Sequence, residues 1–340
     1  MENKHPSKID IPVLILFFNR PKMLSKVFEQ VKIARPSKLY LFQDGAREGR
    51  ADDIENCQKC REVVSDIDWE CEVHTNFQEK NNGCDPSEYL AQKWMFETEE
   101  MGIVLEDDDV PSQSFFPYCK ELLEKYKDDQ RINMICGMNN LETYDSPYDY
   151  VFTTTETITG WASWKRVIDE WVDHVEFVEN EYYVEKFKDF YKDQFDVDKR
   201  VDFYLNQNKE GVAYYESILS ANTKLNSRLN IVPCKNLISN IGNEGESTHG
   251  AASLDVLPKG IRRIFNMKTY EYEFPLKHQR YVIEDVKFRK KLYRVMAVGH
   301  PFVAFYRRCE SFWLRLTHGQ AKQAFRSVAK QFFGKKKGKK

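Results

Sequence analysis

The stretch GIVLEDDDVPSQSFF, residues 102–116, sets an apolar run directly against four consecutive carboxylates, Glu106 to Asp109. The apolar part reads as a buried strand, whereas adjacent acids repel one another and resist leaving water. Three explanations are open. Carboxylate oxygens are the ligands that Mg²⁺ or Mn²⁺ prefers, and a cation removes the repulsion. A carboxylate pair also serves acid/base chemistry, as in glycoside hydrolysis. The plain alternative is a solvated loop whose acids cap a helix beginning near SQSFF, worth a few tenths to about 1 kcal/mol each. Which applies depends on where the run sits in the fold.

Around it, the first 140 residues alternate short β-branched or apolar runs with longer segments of helical period. IPVLILFF (11–18) predicts a strand, and Pro21 falls where a first helical turn tolerates proline. The helix KMLSKVFEQVKIA follows, then the strand KLYLFQDG ending in Asp44-Gly45. ADDIENCQKCREVVSDI predicts a helix, CEVHTNF a strand, PSEYLAQKWMFETEE a helix and GIVLE a fourth strand. The helix SQSFFPYCKELLEKYKDD and the strand INMICGM complete a βαβαβαβαβ order. That order predicts an α/β fold with a doubly wound, mostly parallel sheet. Such sheets bind ligands outside the carboxyl ends of their strands. Asn19-Arg20, Asp44-Gly45, Gln78 to Gly83 and the acid run should therefore meet in one crevice, which favours the cation over the solvated loop. Past residue 140 come an irregular stretch (141–160), the aromatic cluster GWASWKRVIDEW and two or three helices up to residue 227. LNIVPCKNLISNIG (229–242) then reads as a strand running into the polar segment NEGESTHGAAS.

The 340 residues suffice for one large domain or two modest ones, and 41% hydrophobic content supports a core. A formal net charge of −2 hides an asymmetry: residues 259–340 carry 22 Lys/Arg against 5 Asp/Glu, and the rest 29 against 48. The expected division is a main domain over 10–258, split into halves 10–140 and 141–258, followed by a basic extension over 259–340. No internal repeat is present. MENKHPSKID runs straight into the first strand, and no apolar run approaches 18 residues, so a cytoplasmic protein is expected. Eight cysteines are too dilute for a disulfide scaffold, and the single CxxC, Cys57 and Cys60, reads as two thiols on a helix rather than half a zinc site.

No glycine-lysine phosphate loop and no GxGxxG follows the first strand, which speaks against P-loop chemistry and ordinary dinucleotide binding. The first turn instead offers Arg20, a fixed cation suited to phosphate. Acids for a metal without a phosphate cradle suit a nucleotide whose diphosphate is held by the cation, as in an activated sugar. Taken in order, VLILFFNRP, LYLFQDG, EKNNG, GIVLEDDDVPSQSFF, TGWASWK and NLISNIGNEGESTHG resemble a bacterial family of nucleotide-diphosphosugar transferases with the GT-A fold. They are similar, more distantly, to the eukaryotic enzyme that adds N-acetylglucosamine to the mannose core of N-glycans. The resemblance spans roughly residues 10–250.

That resemblance implies a role for particular residues. Asp108 would bind Mn²⁺ or Mg²⁺, and Glu106 and Asp107 would contact sugar and ribose. Asp109 departs from the bacterial pattern and stands as an outer ligand or a helix cap. Asp44 would pair with a uracil-like base, Arg20 with the nucleotide, and Lys80 and Gly83 would lie beside the diphosphate. The catalytic base falls on Glu216 in GVAYYESILS, where the relatives carry Asp after Trp, so the side chain reaches one methylene further; the alternative is an ordinary acid at a helix N-terminus. His249 in ESTHG is a candidate metal or diphosphate ligand, with a solvated loop histidine as the alternative. Trp161 in TGWASWK would floor the sugar pocket, unless it belongs to the core.

The extension interleaves basic residues with Phe, Trp, Leu and Val before a lysine-rich end, as an interfacial helix does. An anionic membrane on the inner face of the plasma membrane is preferred to nucleic acid, because the body is acidic and carries no nucleic-acid motif; the plain alternative is a helix packing on the domain with a disordered lysine tail. The expectation is an inverting, metal-dependent glycosyltransferase that takes a UDP-linked or related nucleoside-diphosphate sugar to a hydroxyl of a glycan or lipid-linked saccharide. Its rivals are a nucleotidyltransferase on a related α/β scaffold and a non-catalytic sugar-binding or membrane-scaffold protein.

Overall fold

The computed structural model describes residues 4–172, 174–190, 197–211, 214–243 and 254–326. Its first half follows the sequence pattern closely. β1 (Val13–Phe17) is buried along its whole length, as a continuous apolar run is when helices cover both faces of a sheet. α1 (Pro21–Ala34) begins on its proline and buries Met23, Leu24, Val27, Phe28, Val31 and Ala34, one apolar stripe of helical period. β2 (Lys38–Gln43), α2 (Ala51–Ser65), β3 (Glu72–Phe77), α3 (Cys84–Phe96) and β4 (Met101–Glu106) continue the alternation. β1 pairs in parallel with both β2 and β4, and β2 with β3. The chain therefore builds outward through β2 and β3 and then returns to the other side of β1. The switch point lies between β1 and β4, where a ligand crevice is expected.

Beyond β4 the order departs from the simple alternation. β5 (Asp109–Pro111) precedes α4 (Phe115–Tyr126), and β6 (Ile132–Cys136) follows it. β6 does not pair beside β4, because β8 (Trp161–Trp164) enters between them antiparallel to both. β7 (Tyr150–Thr153) lies inside the stretch that reads as irregular, and β9 (Leu229–Pro233) joins it to β6. The sheet order is β3-β2-β1-β4-β8-β6-β9-β7, and a separate ribbon pairs β5 with β10 (Ile238–Asn240). Six of the eight strands run one way, so the architecture is α/β with a mostly parallel central sheet. Between β8 and β9 lie α5 (Lys165–Ile168), α6 (Glu181–Asp189), α7 (Val197–Glu210) and α8 (Tyr215–Leu225).

The composition break at residue 259 is not a break in packing. α9 (Lys259–Arg262) leads into an extended segment that crosses the body and reaches α10 (Val286–Met296), and α11 (Pro301–Thr317) follows. Met267, Leu276, Phe288 and Leu292 belong to the same core as β1 and β4. The Glu271 carboxylate accepts the amides of Gln113 (3.2 Å) and Ser114 (2.7 Å), so it caps α4 from across the chain. The acid run therefore does not cap that helix. The Asp285 amide donates to the Phe152 carbonyl and the Gln279 side chain to the Tyr150 carbonyl, both at 2.8 Å, which covers the β7 edge. Most lysines and arginines of this segment are exposed, while Met267, Leu276, Phe288 and Leu292 complete the core.

Candidate active site

A cavity of about 470 Å³ opens at the carboxyl ends of β1, β2 and β4, within the size range of small-molecule sites. Phe17, Phe18, Asn19 and Arg20 line it after β1, and Asp44, Arg47 and Arg50 after β2. Gly83, Cys84, Ser87 and Glu88 come from the start of α3, and Glu106 and Asp107 from the end of β4. The expected convergence of these segments is thus observed.

The four acids have four different surroundings. Asp107 is buried and paired with Arg20, whose Nε donates to its Oδ2 at 3.3 Å and whose Nη2 donates to its Oδ1. Asp108 accepts from Arg20 Nη1 at 3.0 Å and from Asn240 Nδ2 at 3.1 Å. Asp109 turns away from the cavity: its Oδ2 accepts the amides of Gly160 (2.7 Å) and Glu106 (3.3 Å), and it opens the β5–β10 ribbon. It is neither a helix cap nor part of the cavity wall; it ties the end of β4 to the start of β8. Glu106 accepts the Tyr215 hydroxyl at 3.3 Å.

One guanidinium serves this group of carboxylates. Burial opposes the Arg20 charge, but Asp107 and Asp108 outweigh it and hold the guanidinium above its ordinary range. Burial, then Glu88 and the other acids of the run, push Glu106 well above the usual carboxylate range. Burial and Asp108 do the same to Asp109, partly offset by its amide donors. Asp107 is also raised by burial, with Arg20 pulling the other way. Among the described residues, the end of β4 thus sets its carboxylates against a single guanidinium, Arg20, while Arg47 and Arg50 on the far wall pair with Asp53 and Asp52.

The carboxylate cluster extends to residues that the sequence reading passed over. Asp85 and Glu88 on the first turns of α3 meet Glu216 on the first turn of α8, with carboxylate oxygens within 4.8 Å of one another. Burial, then Glu216, push Glu88 up to about 8, and its Oε2 is buried without a hydrogen-bond partner among the described residues. Glu88 was legible only as an acid three residues after Asp85 on a helix that starts at the EKNNG block. Asn240 likewise lay in a recognised block without being singled out. Among the described residues the acids close enough together to share one ion are Asp85, Glu88 and Glu216; they, like Glu106 and Asp108 nearby, are all carboxylates, which fits a hard divalent cation rather than a soft one.

The other expected residues are placed as follows. Asp44 is buried, with its oxygens occupied by the amides of Gly45 (2.9 Å), Asn82 (2.9 Å) and Gly83 (3.1 Å) and by the Asn81 side chain (2.8 Å). It holds the EKNNG loop rather than offering two free oxygens to a base. Gly83 has φ +89°, a left-handed backbone that favours glycine, and lines the cavity. Lys80 is exposed, with its main chain running against Gly45, and does not line the cavity. Trp161 is core: its ring packs near Trp171 and stacks with Tyr215 at 6.5 Å, and it does not line the cavity. Its indole N–H finds no acceptor among the described residues. His249 lies outside the described residues. Gly242, seven residues before it in the sequence, sits where a Cβ would run into the Asp108 carboxylate.

No protein-family model and no curated protein matches the chain. Among solved structures it is similar to apo UDP-glucose pyrophosphorylase, with 9% identity, a TM-score of 0.34, and 68% of this chain and 93% of that one covered. It is similar in the same way to UDP-glucose pyrophosphorylase complexed with UDP-glucose, with 8% identity, a TM-score of 0.33 and the same coverage. Likeness at this level carries no argument.

Proposed function

We propose that the protein is a metal-dependent glycosyltransferase that moves a sugar from a nucleoside-diphosphate donor, with uridine as the nucleoside, to a hydroxyl of a glycan or lipid-linked saccharide. The observation that supports this reading is the cluster of cation-deficient acids at the β1/β4 switch point, beside a cavity of about 470 Å³ that also holds Arg20. Asp108, with Glu106 beside it, would hold Mn²⁺ or Mg²⁺. When bound, that ion stabilises the negative charge of the leaving diphosphate.

The protein's own groups have separate tasks. Arg20, at the start of α1, offers a fixed charge to a phosphate oxygen and positions the two aspartates when none is present. The aromatic residues Phe17, Phe18 and Phe42 line the cavity and suit the face of a base. Glu216 takes the proton of the acceptor hydroxyl, and Glu88, raised to about 8, stays largely protonated beside it at neutral pH. A single displacement at the anomeric carbon forms the new C–O bond, breaks the bond to the diphosphate and inverts the configuration.

The test is a panel of nucleotide sugars, with and without Mn²⁺, followed by donor hydrolysis and nucleotide binding. The reading expects metal-dependent turnover of one donor; neither turnover nor metal-dependent nucleotide binding for any donor would overturn it. UTP with a sugar 1-phosphate in the same assay separates nucleotidyl transfer, which releases pyrophosphate. Asp108→Asn should lower turnover by about 100-fold or more and abolish metal-dependent affinity. Unchanged values would remove Asp108 from the metal site.

A further inference from the structure

Helix α11 meets the body along one side only. Arg307 packs on Gly260 and donates to the Val295 carbonyl, and the Glu310 carboxylate accepts the Lys259 amide at 3.0 Å. On the other side, Phe302, Phe305, Tyr306, Cys309 and Trp313 recur at i, i+3, i+4, i+7 and i+11, a single helical face. That face is bare: Phe302 is 88% exposed, Phe305 67%, Tyr306 68% and Trp313 65%. The Phe312 ring touches Phe325 at 5.6 Å, and Phe325 is itself exposed, so the aromatic surface continues past the helix. An apolar surface of this extent marks an interaction site.

The charge around it selects the occupant. Residues 286–326 carry ten Lys/Arg and one acid, Glu310, which faces the body. Lys330, Lys335, Lys336, Lys337, Lys339 and Lys340 follow in sequence. A second copy docked on the same face would set two such basic segments against each other. An anionic lipid surface accepts both features: aromatic side chains at the depth of the acyl boundary, with Trp and Tyr at headgroup level, and lysines and arginines at the phosphates. We propose that the Phe302–Trp313 face of α11 lies in the interface of an anionic membrane and anchors the protein there without spanning it. Among the described residues no helix is long and apolar enough to cross a membrane. The proposal rests on α11 and its charge and stands apart from the reaction assigned to the cavity.

The test uses the full chain and sedimentation with phosphatidylcholine vesicles, with or without about 30% phosphatidylglycerol, at low and high salt. Binding to the anionic vesicles is expected, at least about tenfold weaker on phosphatidylcholine alone and again weaker at about 0.5 M salt. A polarity-sensitive dye on Cys309, the exposed thiol among the eight, should shift to the blue on vesicle addition. The triple variant Phe302→Ser, Phe305→Ser, Trp313→Ser alters exposed positions only, so its circular dichroism should be unchanged and its vesicle affinity lower by about tenfold or more. Any of four results overturns the proposal: no pelleting with anionic vesicles, equal pelleting of the triple variant, a self-association that the triple variant abolishes in place of vesicle binding, or retention on RNA or DNA while vesicles are ignored.

Discussion

Two acidic neighbourhoods flank β1, one at the end of β2 and one at the end of β4, and they are treated in opposite ways. At the end of β2 every acid has its donors. Asp44 is held by three backbone amides and an asparagine, and buried Asp53 accepts from Arg47 Nε (2.6 Å), Arg47 Nη2 (2.8 Å) and Asn19 (2.7 Å). At the end of β4, one guanidinium stands against Glu106, Asp107 and Asp108, with Glu88 close by. Acids with a full set of donors build loops. Acids left short of positive charge are the ones to which the proposed cation is assigned.

The contrast can be broken most sharply at Asp44. Asp44→Ala would leave three amides of the Gly45 and Asn82–Gly83 turns without their acceptor, and unfolding measurements should show a loss of about 3 kcal/mol. A change below about 0.5 kcal/mol would mean that the loop does not depend on it. Asp109→Ala, which frees the amides of Glu106 and Gly160, should cost about 2 kcal/mol while the cavity wall keeps Asp107. Calorimetry on that variant also tests whether Asp109 is structural: a loss of metal affinity with full stability would return it to the metal site.

The β4 cluster should respond to ions where the β2 cluster does not. Mn²⁺ at about 100 times its dissociation constant should stabilise the wild-type fold by about 2.7 kcal/mol, and Asp108→Asn should erase that gain. Proton linkage separates the two neighbourhoods in sign. Glu88 is raised to about 8 by burial and Glu216, so the folded state binds the extra proton between about pH 4.3 and 8. Its contribution is present at the low end of that window and is lost as pH rises, so in EDTA the melting temperature should fall from pH 5 towards pH 8. Glu88→Gln should flatten this slope. Asp53 is held below the usual range by its hydrogen bonds to Arg47, so its contribution is present above about pH 4 and is lost as pH drops through its lowered value. An Asp53→Asn variant should weaken the acid limb of the profile, which Asp129 also shapes through Arg131, and keep the alkaline one.

The half of the molecule built from local units was legible in the sequence. β1 to β4 and the helices between them each span one period and pair with near neighbours, so composition, period and turn residues agree on the same answer. The gathering of Arg20, Asp44, Gly83, Glu106 and Asp107 around one cavity followed from the rule for strand ends. The rest depended on long-range choices with no local trace. WASW is four residues long, too short to declare a direction, and it inserts antiparallel between β4 and β6. Trp161 was expected to floor the sugar pocket, with the core as the alternative, and it packs instead among the rings of Trp171 and Tyr215. Glu88 and Asp85 looked like ordinary acids of a helix start until α8 brought Glu216 against them. The segment around Leu276 was hidden by the charge of its neighbours, since net charge describes a surface and not what lies beneath it.

The Glu271 cap has a consequence for how the chain assembles. The amides of Gln113 and Ser114 open the helix that follows the acid run, yet their acceptor arrives more than 150 residues later. During synthesis the β1–β4 unit can form early, but the two amides at the start of α4 wait for their acceptor until the segment after α9 has left the ribosome. The order of synthesis thus leaves the start of α4 among the last parts of the domain to become fixed.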